Sequence, residues 1–230
     1  DVRFPRLSVL FGANAAGKSN LLDAIQSLAR VGTCRTLSDA FDEHIRGQQV
    51  ESFAFPAGGL ATLLSSEKAE LELESELGIG RDLFRYEITI GFQPKSGVLS
   101  VRNEYLAALN SKNEPKGNPT IEAKDGQLRI RRKSKPGNPR TEPLGLNYSV
   151  LSDARLGGVE YRTIEKCRNE IVGWRAYYLD PRTAMRSAKT PADVRDIGVL
   201  GEDLAPFLYR LREEKPKHFD AVKRTLRTLV

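Results

Sequence analysis

Two cysteines, two histidines, one methionine and one tryptophan in 230 residues leave little for several kinds of chemistry. Cys34 and Cys167 match no metal or redox spacing, so they read as reduced thiols in a cytoplasmic protein. His44 and His218 are isolated, which argues against a histidine-built metal site. No apolar run approaches the roughly 20 residues of a membrane span, and the start carries no signal-peptide pattern. No internal repeat is visible. What remains is one large domain or one and a half, long enough to bury a sizeable core. Lysine and arginine number 36 against 30 acids, a net charge of +6 that is compatible with nucleic acid but does not demand it.

The stretch "FGANAAGKSNLLDAI", residues 11–25, carries the most specific signal. Gly12, Gly17, Lys18 and Ser19 stand in the spacing G-x-x-x-x-G-K-S. The apolar run 7–11 before it reads as a strand, and Leu21, Leu22, Ile25, Leu28 and Ala29 recur at helical spacing over 19–31. Strand, loop and helix in that order are the context a Walker A loop requires. Glycines let backbone N–H groups converge on phosphate oxygens, and the helix start adds its dipole. Lys18 is expected on the β- and γ-phosphates and the Ser19 hydroxyl on Mg²⁺. The expected binding segment is Gly12, Ala13, Asn14, Ala15, Ala16, Gly17, Lys18, Ser19 and Asn20, with ATP and Mg²⁺ as cofactors. The plainer alternative is a glycine-rich turn before an ordinary helix.

Asn14 within the loop and Asn20 after the serine give G-x-N-x-x-G-K-S-N. This pattern resembles ABC-type ATPases of the SMC/RecF-like branch, closest to bacterial AAA-family ATPases related to the OLD family. Ala15 departs from it, standing where such loops usually carry glycine. "WRAYYLDP", "MRS" and "GEDLAPFLYRL" add a weaker likeness in the last third of the chain. The resemblance implies an α/β fold: a P-loop NTPase core of ABC/SMC type, an antiparallel meander and the start of a helical lobe. It implies a homodimer formed through the ATP site, action on DNA in repair or anti-phage defence, and a nuclease as partner or attached domain. It also implies a strand before residue 7 and a continuation after Val230, so both ends read as cut ends.

Along the chain, residues 69–77 and 83–92 alternate as strands joined by a turn at "GIGRD", and 97–109 reads as a third. Residues 119–133 read as a hairpin about Asp125-Gly126. Residues 134–145 are rich in proline and glycine and read as a long loop. A helix is expected over 160–173, a strand over 174–179 and a helix over 203–214 with Leu204, Phe207, Leu208 and Leu211 on one face. Pro216 should open a second helix with Phe219, Val222 and Leu226 inward. The domain boundary is placed after residue 180, with 1–180 the nucleotide-binding lobe and 181–230 the connection and start of the helical lobe.

An ABC-type site also needs a signature motif, a Walker B aspartate and a glutamate beside it. "GVLGEDLA", 198–205, lacks the signature pattern. Asp180 ends an apolar run, but Pro181 stands where the glutamate belongs. The resemblance instead sets this segment in the connection between lobes, with Arg182 and Arg186 facing nucleotide or partner, or simply solvent. The expectation is therefore a chain that binds ATP without turning it over. Arg129, Arg131, Arg132 and Lys133, with Lys135 beyond, form a basic hairpin arm that could neutralise nucleic-acid phosphates or merely guard an edge strand. A P-loop kinase or GTPase is the competing reading, disfavoured by the lack of an arginine-rich lid and of an N-K-x-D motif. A DNA-binding scaffold with structural nucleotide is the third.

Overall fold

The computed structural model describes residues 4, 8–14, 16–42, 59–66, 69–190 and 192–229. Leu7, Ala15 and His44, and the loop markers Pro56 and Gly58, lie outside the described residues. The chain divides into two compact units, residues 1–175 and 176–230.

The first unit is built on a six-stranded antiparallel sheet in simple meander order: β1 (Ala69–Ile79), β2 (Asp82–Gln93), β3 (Val98–Leu109), β4 (Ile121–Lys124), β5 (Gln127–Ile130) and β6 (Arg140–Pro143). Alternation sets the faces. Phe84, Tyr86, Ile88 and Ile90 of β2 are buried, while Leu83, Arg85, Glu87 and Thr89 between them are half-buried. In β1 the glutamates at 70, 72, 74 and 76 are exposed, as the acidic–apolar alternation requires. Asp125 and Gly126 both take positive φ, 55° and 75°, which makes the β4–β5 connection a tight turn with matching twist. β6 occupies part of the stretch expected to be loop. Ladder bonds from β5 hold Arg140–Pro143 as an edge strand, and Pro143 sits at its last position, where a missing N–H costs little.

Three helices precede the sheet: α1 (Lys18–Val31), α2 (Leu37–Asp42) and α3 (Gly59–Ser65). A fourth, α4 (Arg162–Val172), follows it and ends at Gly173. The C-terminal half of α1 is the part that enters the core, through Leu28, Ala29 and Val31, while Leu22 stays exposed. Ile164, Cys167 and Ile171 of α4 are fully buried in the same cluster as β2 and β3. Burial pushes the Cys167 thiol up to about 12, so it behaves as a small apolar side chain. Arg30 ties α1 to α2 by donating to the carbonyls of Ala40 at 2.6 Å and Asp39 at 2.5 Å.

One buried carboxylate links sheet and helices. Glu104 of β3 accepts hydrogen bonds from the Ser149 hydroxyl at 2.7 Å, the Val150 N–H at 2.8 Å, the Leu151 N–H at 3.0 Å and the Tyr86 hydroxyl at 3.0 Å. Those amides start the 3-10 turn Val150–Ser152. Arg168 of α4 then donates to the carbonyls of Leu151, Asp153 and Leu156 at 2.5, 2.7 and 2.7 Å.

Three expectations are corrected. Residues 8–11 form no strand: Val9 and Phe11 are exposed, and no ladder partner lies beside them among the described residues. A strand exists only through bonds to a neighbour, so an apolar run without one stays irregular. Residues 174–179 are likewise not a regular strand. In the second unit, Tyr178 N–H donates to Val199 at 2.8 Å and Asp180 N–H to Leu200 at 2.9 Å, too few bonds for a ladder. That unit continues into α5 (Leu204–Glu214) and α6 (Pro216–Leu229), which pack on each other. Leu204, Phe207, Leu208 and Leu211 are half-buried, as is Phe219. Val222 and Leu226 are exposed, contrary to the inward stripe expected, because the contact with α5 leaves them uncovered.

Burial raises the Glu104 carboxyl above its ordinary value of 4.5, against the pull of Ser149, Val150, Leu151 and Tyr86. The folded chain thus holds this proton more tightly than the unfolded one. Its contribution is fully present below about pH 4.5 and is lost as pH rises through the folded value. Glu104→Gln should destabilise the fold by about 1–3 kcal/mol, since an amide presents an N–H₂ group to donors that need an acceptor. Urea unfolding of both proteins at pH 5 and pH 7 should show the gap narrowing at the higher pH. A widening gap would overturn this account.

Candidate nucleotide site

The glycine-rich segment leads directly into α1. Gly17 is the N-cap at φ 82°, a left-handed conformation that only glycine adopts without cost, and Gly12 lies at φ 154°. A Cβ at Gly17 would meet nothing within 4 Å among the described residues, so it is conformation and not space that calls for glycine. Loop closure comes from Ala16 N–H donating to the Ala13 carbonyl at 3.3 Å and Leu21 N–H to Gly17 at 3.1 Å.

The start of α1 has no side-chain cap and no acid in its first turn. Its first N–H groups are therefore unclaimed by any carboxylate of the helix, and the positive end of the dipole faces outward. Lys18 folds back over the loop, donating from Nζ to the carbonyls of Gly12 at 2.9 Å and Ala13 at 2.7 Å. An ammonium has three donors, so one is left beyond the two that position it. Gly12, Ala13, Asn14, Ala16, Gly17 and Asn20 are exposed, and Lys18 and Ser19 are half-buried. This donor set fits a polyphosphate: exposed amides, one positioned cation and a hydroxyl, Ser19, directly after it. The helix begins at Lys18, one residue ahead of the expected start.

Asp180 is engaged elsewhere. Its carboxylate accepts from the backbone N–H groups of Arg182 at 3.0 Å, Thr183 at 3.1 Å and Ala184 at 3.4 Å. These bonds, led by Thr183, hold it below the ordinary carboxylate range. It is the anchor of a turn. Arg182 and Arg186 are both exposed around that turn, with Arg186 closing the short 3-10 helix Ala184–Arg186.

The basic arm is arranged differently from a row along a strand. β5 stops at Ile130, so Arg131, Arg132 and Lys133 lie past the ladder. Arg129 pairs with Asp125 at 2.6 Å. Arg131 pairs with Glu122 and donates to the Pro119 carbonyl at 2.6 Å. The Lys133 N–H donates to Glu160 at 2.9 Å, which swings the chain toward the start of α4. There the sequence reading missed a concavity of about 600 Å³ lined by Arg131, Arg132, Lys133, Arg162 and Lys166. Its walls come from segments far apart in the chain, so no local pattern announces it.

Among the described residues, no helix is long and apolar enough to cross a membrane, and no cluster of three or more histidine, cysteine, aspartate or glutamate side chains could hold a metal. Comparison with known families matches residues 7–191 to the family described as "AAA domain, putative AbiEii toxin, Type IV TA system". No curated protein matches, and no solved structure matches.

Gly17→Ala should cost about 1–2 kcal/mol through the left-handed backbone alone. Denaturant unfolding measures it. A variant as stable as the parent would show that the loop does not need φ 82° at this position.

Proposed function

Because the chain belongs to that AAA-domain family of P-loop ATPases, we propose that residues 12–20 bind Mg²⁺-ATP. The observation that carries this reading is Gly17 at positive φ opening α1, with the Lys18 ammonium held over the loop by two carbonyls. Lys18 would meet the β- and γ-phosphates, the loop and first-turn amides would cradle them, and Ser19 would ligate the cation. ATP supplies a transferable γ-phosphoryl group when bound; the chain's own groups bind and orient it.

The finer reading is an ABC-type module of the SMC/RecF-like branch, related to the OLD family, whose ATP-bound form is a homodimer. Its output is DNA handling, in repair or in anti-phage defence, together with a nuclease partner or domain. The family's description names a toxin of a type IV toxin–antitoxin system, which supports the defence branch over repair. Arg129, Arg131, Arg132 and Lys133 are the proposed DNA contacts. Binding without turnover is the proposed behaviour of this chain, supported by Asp180 being committed to its own turn.

Calorimetric titration of Mg²⁺-ATP into the chain and into Lys18→Ala, with GTP as control, tests the reading. Loss of one charge-assisted contact should weaken ATP binding by about tenfold or more. A folded parent chain that binds no ATP, or a Lys18→Ala variant that binds equally well, would overturn it. Robust Lys18-dependent hydrolysis would overturn the binding-only part.

A further inference from the structure

The concavity beside α4 shares no residue with the phosphate loop. It opens between the start of β2, the chain on either side of the β4–β5 hairpin and the first turn of α4. Five cations face two carboxylates, Asp82 and Glu160, and both acids are already engaged. Asp82 accepts from Lys166 Nζ at 2.5 Å. Glu160 accepts from the Ser134 hydroxyl at 2.5 Å and its N–H at 3.3 Å. With Arg131 matched by Glu122, the side chains of Arg132, Lys133 and Arg162 have no ion-pair partner among the described residues.

Arg132 is the most telling of the three. Its Nε is buried and donates to nothing among the described residues, while one terminal nitrogen donates to the Asn138 carbonyl at 3.4 Å. A buried donor without an acceptor is rare in folded proteins and marks a place where an acceptor belongs. Glu160 sits below the ordinary carboxylate range, first through Ser134 and then through the fields of Arg132 and Lys133. Tyr161, the N-cap of α4, makes no side-chain cap bond, and Arg162 and Thr163 of the first turn line the pocket beside it. Phe84, under the Lys166 ammonium at 5.3 Å, and Tyr161 supply flat apolar surface.

We propose that this pocket binds a nucleotide phosphate, held by Arg132, Lys133 and Arg162, with the attached sugar and base against Tyr161. Guanidinium forks suit phosphate oxygens, and an aromatic face beside a cationic groove suits a base. The space is larger than inorganic phosphate needs and of the size ligand pockets have. The nucleotide comes either free or within a single nucleic-acid strand; the chemistry recognised is the same. This deepens the DNA part of the reading above and is independent of its ATP part.

The test uses the whole chain carrying Lys18→Ala, so that the phosphate loop contributes little. Anisotropy of a labelled single-stranded oligo-dT reports binding across a salt series, with thymidine monophosphate as competitor. Adding Lys133→Glu and Arg162→Glu, both exposed and outside any ion pair, should weaken binding at least about tenfold at low salt. It should also flatten the slope of log K against log salt by about 1–2. Competition by the monophosphate identifies a free nucleotide as a sufficient ligand; its failure, with charge sensitivity kept, identifies the strand. Should the double reversal not fold, Lys133→Gln with Arg162→Gln gives the same readout with a smaller loss. Binding of neither probe, or binding unchanged by the charge variants, overturns the proposal. ATP titration of the double reversal with Lys18 intact should match the parent, which separates this outcome from failure of the ATP site.

Discussion

The Glu104 carboxyl is the polar joint of the first unit, tying β3 and β2 to the turn that leads towards α4. A buried charge or polar carboxyl is tolerated only when its lone pairs are filled, and four donors from two different parts of the chain fill these. Two of the donors are backbone amides at the start of a 3-10 turn, which fixes where the chain leaves the sheet. Arg168 takes hold of that turn from the other side through three carbonyls. α4 is thereby placed, and Ile171 with Leu151 closes on Gly32 at the end of α1, where an added Cβ would approach them to 3.2 and 3.3 Å. The helix that begins with the phosphate loop is anchored at its far end by this chain of contacts. Its near end, with the loop, is free to be exposed.

That division suits the chemistry. Amides that must meet phosphate oxygens cannot be spent on internal partners, and a helix whose C-terminal half is buried can leave its first turn in water without unravelling. Lys18 shows the same economy, since its two bonds to loop carbonyls position the ammonium without neutralising it. Other cations are held directly by acids, Arg155 by Asp153 and Arg129 by Asp125.

Much of this could be read in the sequence where the signal is local. The acidic–apolar alternation of β1, the β-branched run of β2 and the Asp125-Gly126 turn each encode their structure within a few residues, and each forms. The glycine-rich loop is likewise local, because the positive φ of Gly12 and Gly17 and the reach of Lys18 to two loop carbonyls are set within a few residues. Legibility fails where structure depends on a distant partner. Residues 8–11 have the composition of a strand but no ladder among the described residues, whereas "RTEP" has a poor strand composition and gains one from β5. Glu104 looks like an exposed strand glutamate until residues 149–151 arrive to bury it. The pocket is the extreme case: Asp82, Arg132 and Arg162 mean nothing singly and are joined only by folding.

The meander order of the sheet means that each strand pairs with its immediate sequence neighbours, so the sheet closes no long loops and can assemble hairpin by hairpin. The helix behind the phosphate loop follows a different timetable. Its resting place is made by Leu151 and Ile171, more than a hundred residues downstream of Gly32. During synthesis this helix therefore leaves the ribosome well before the residues that seat it, and the nucleotide site waits, unsupported, until residues 151–171 have emerged.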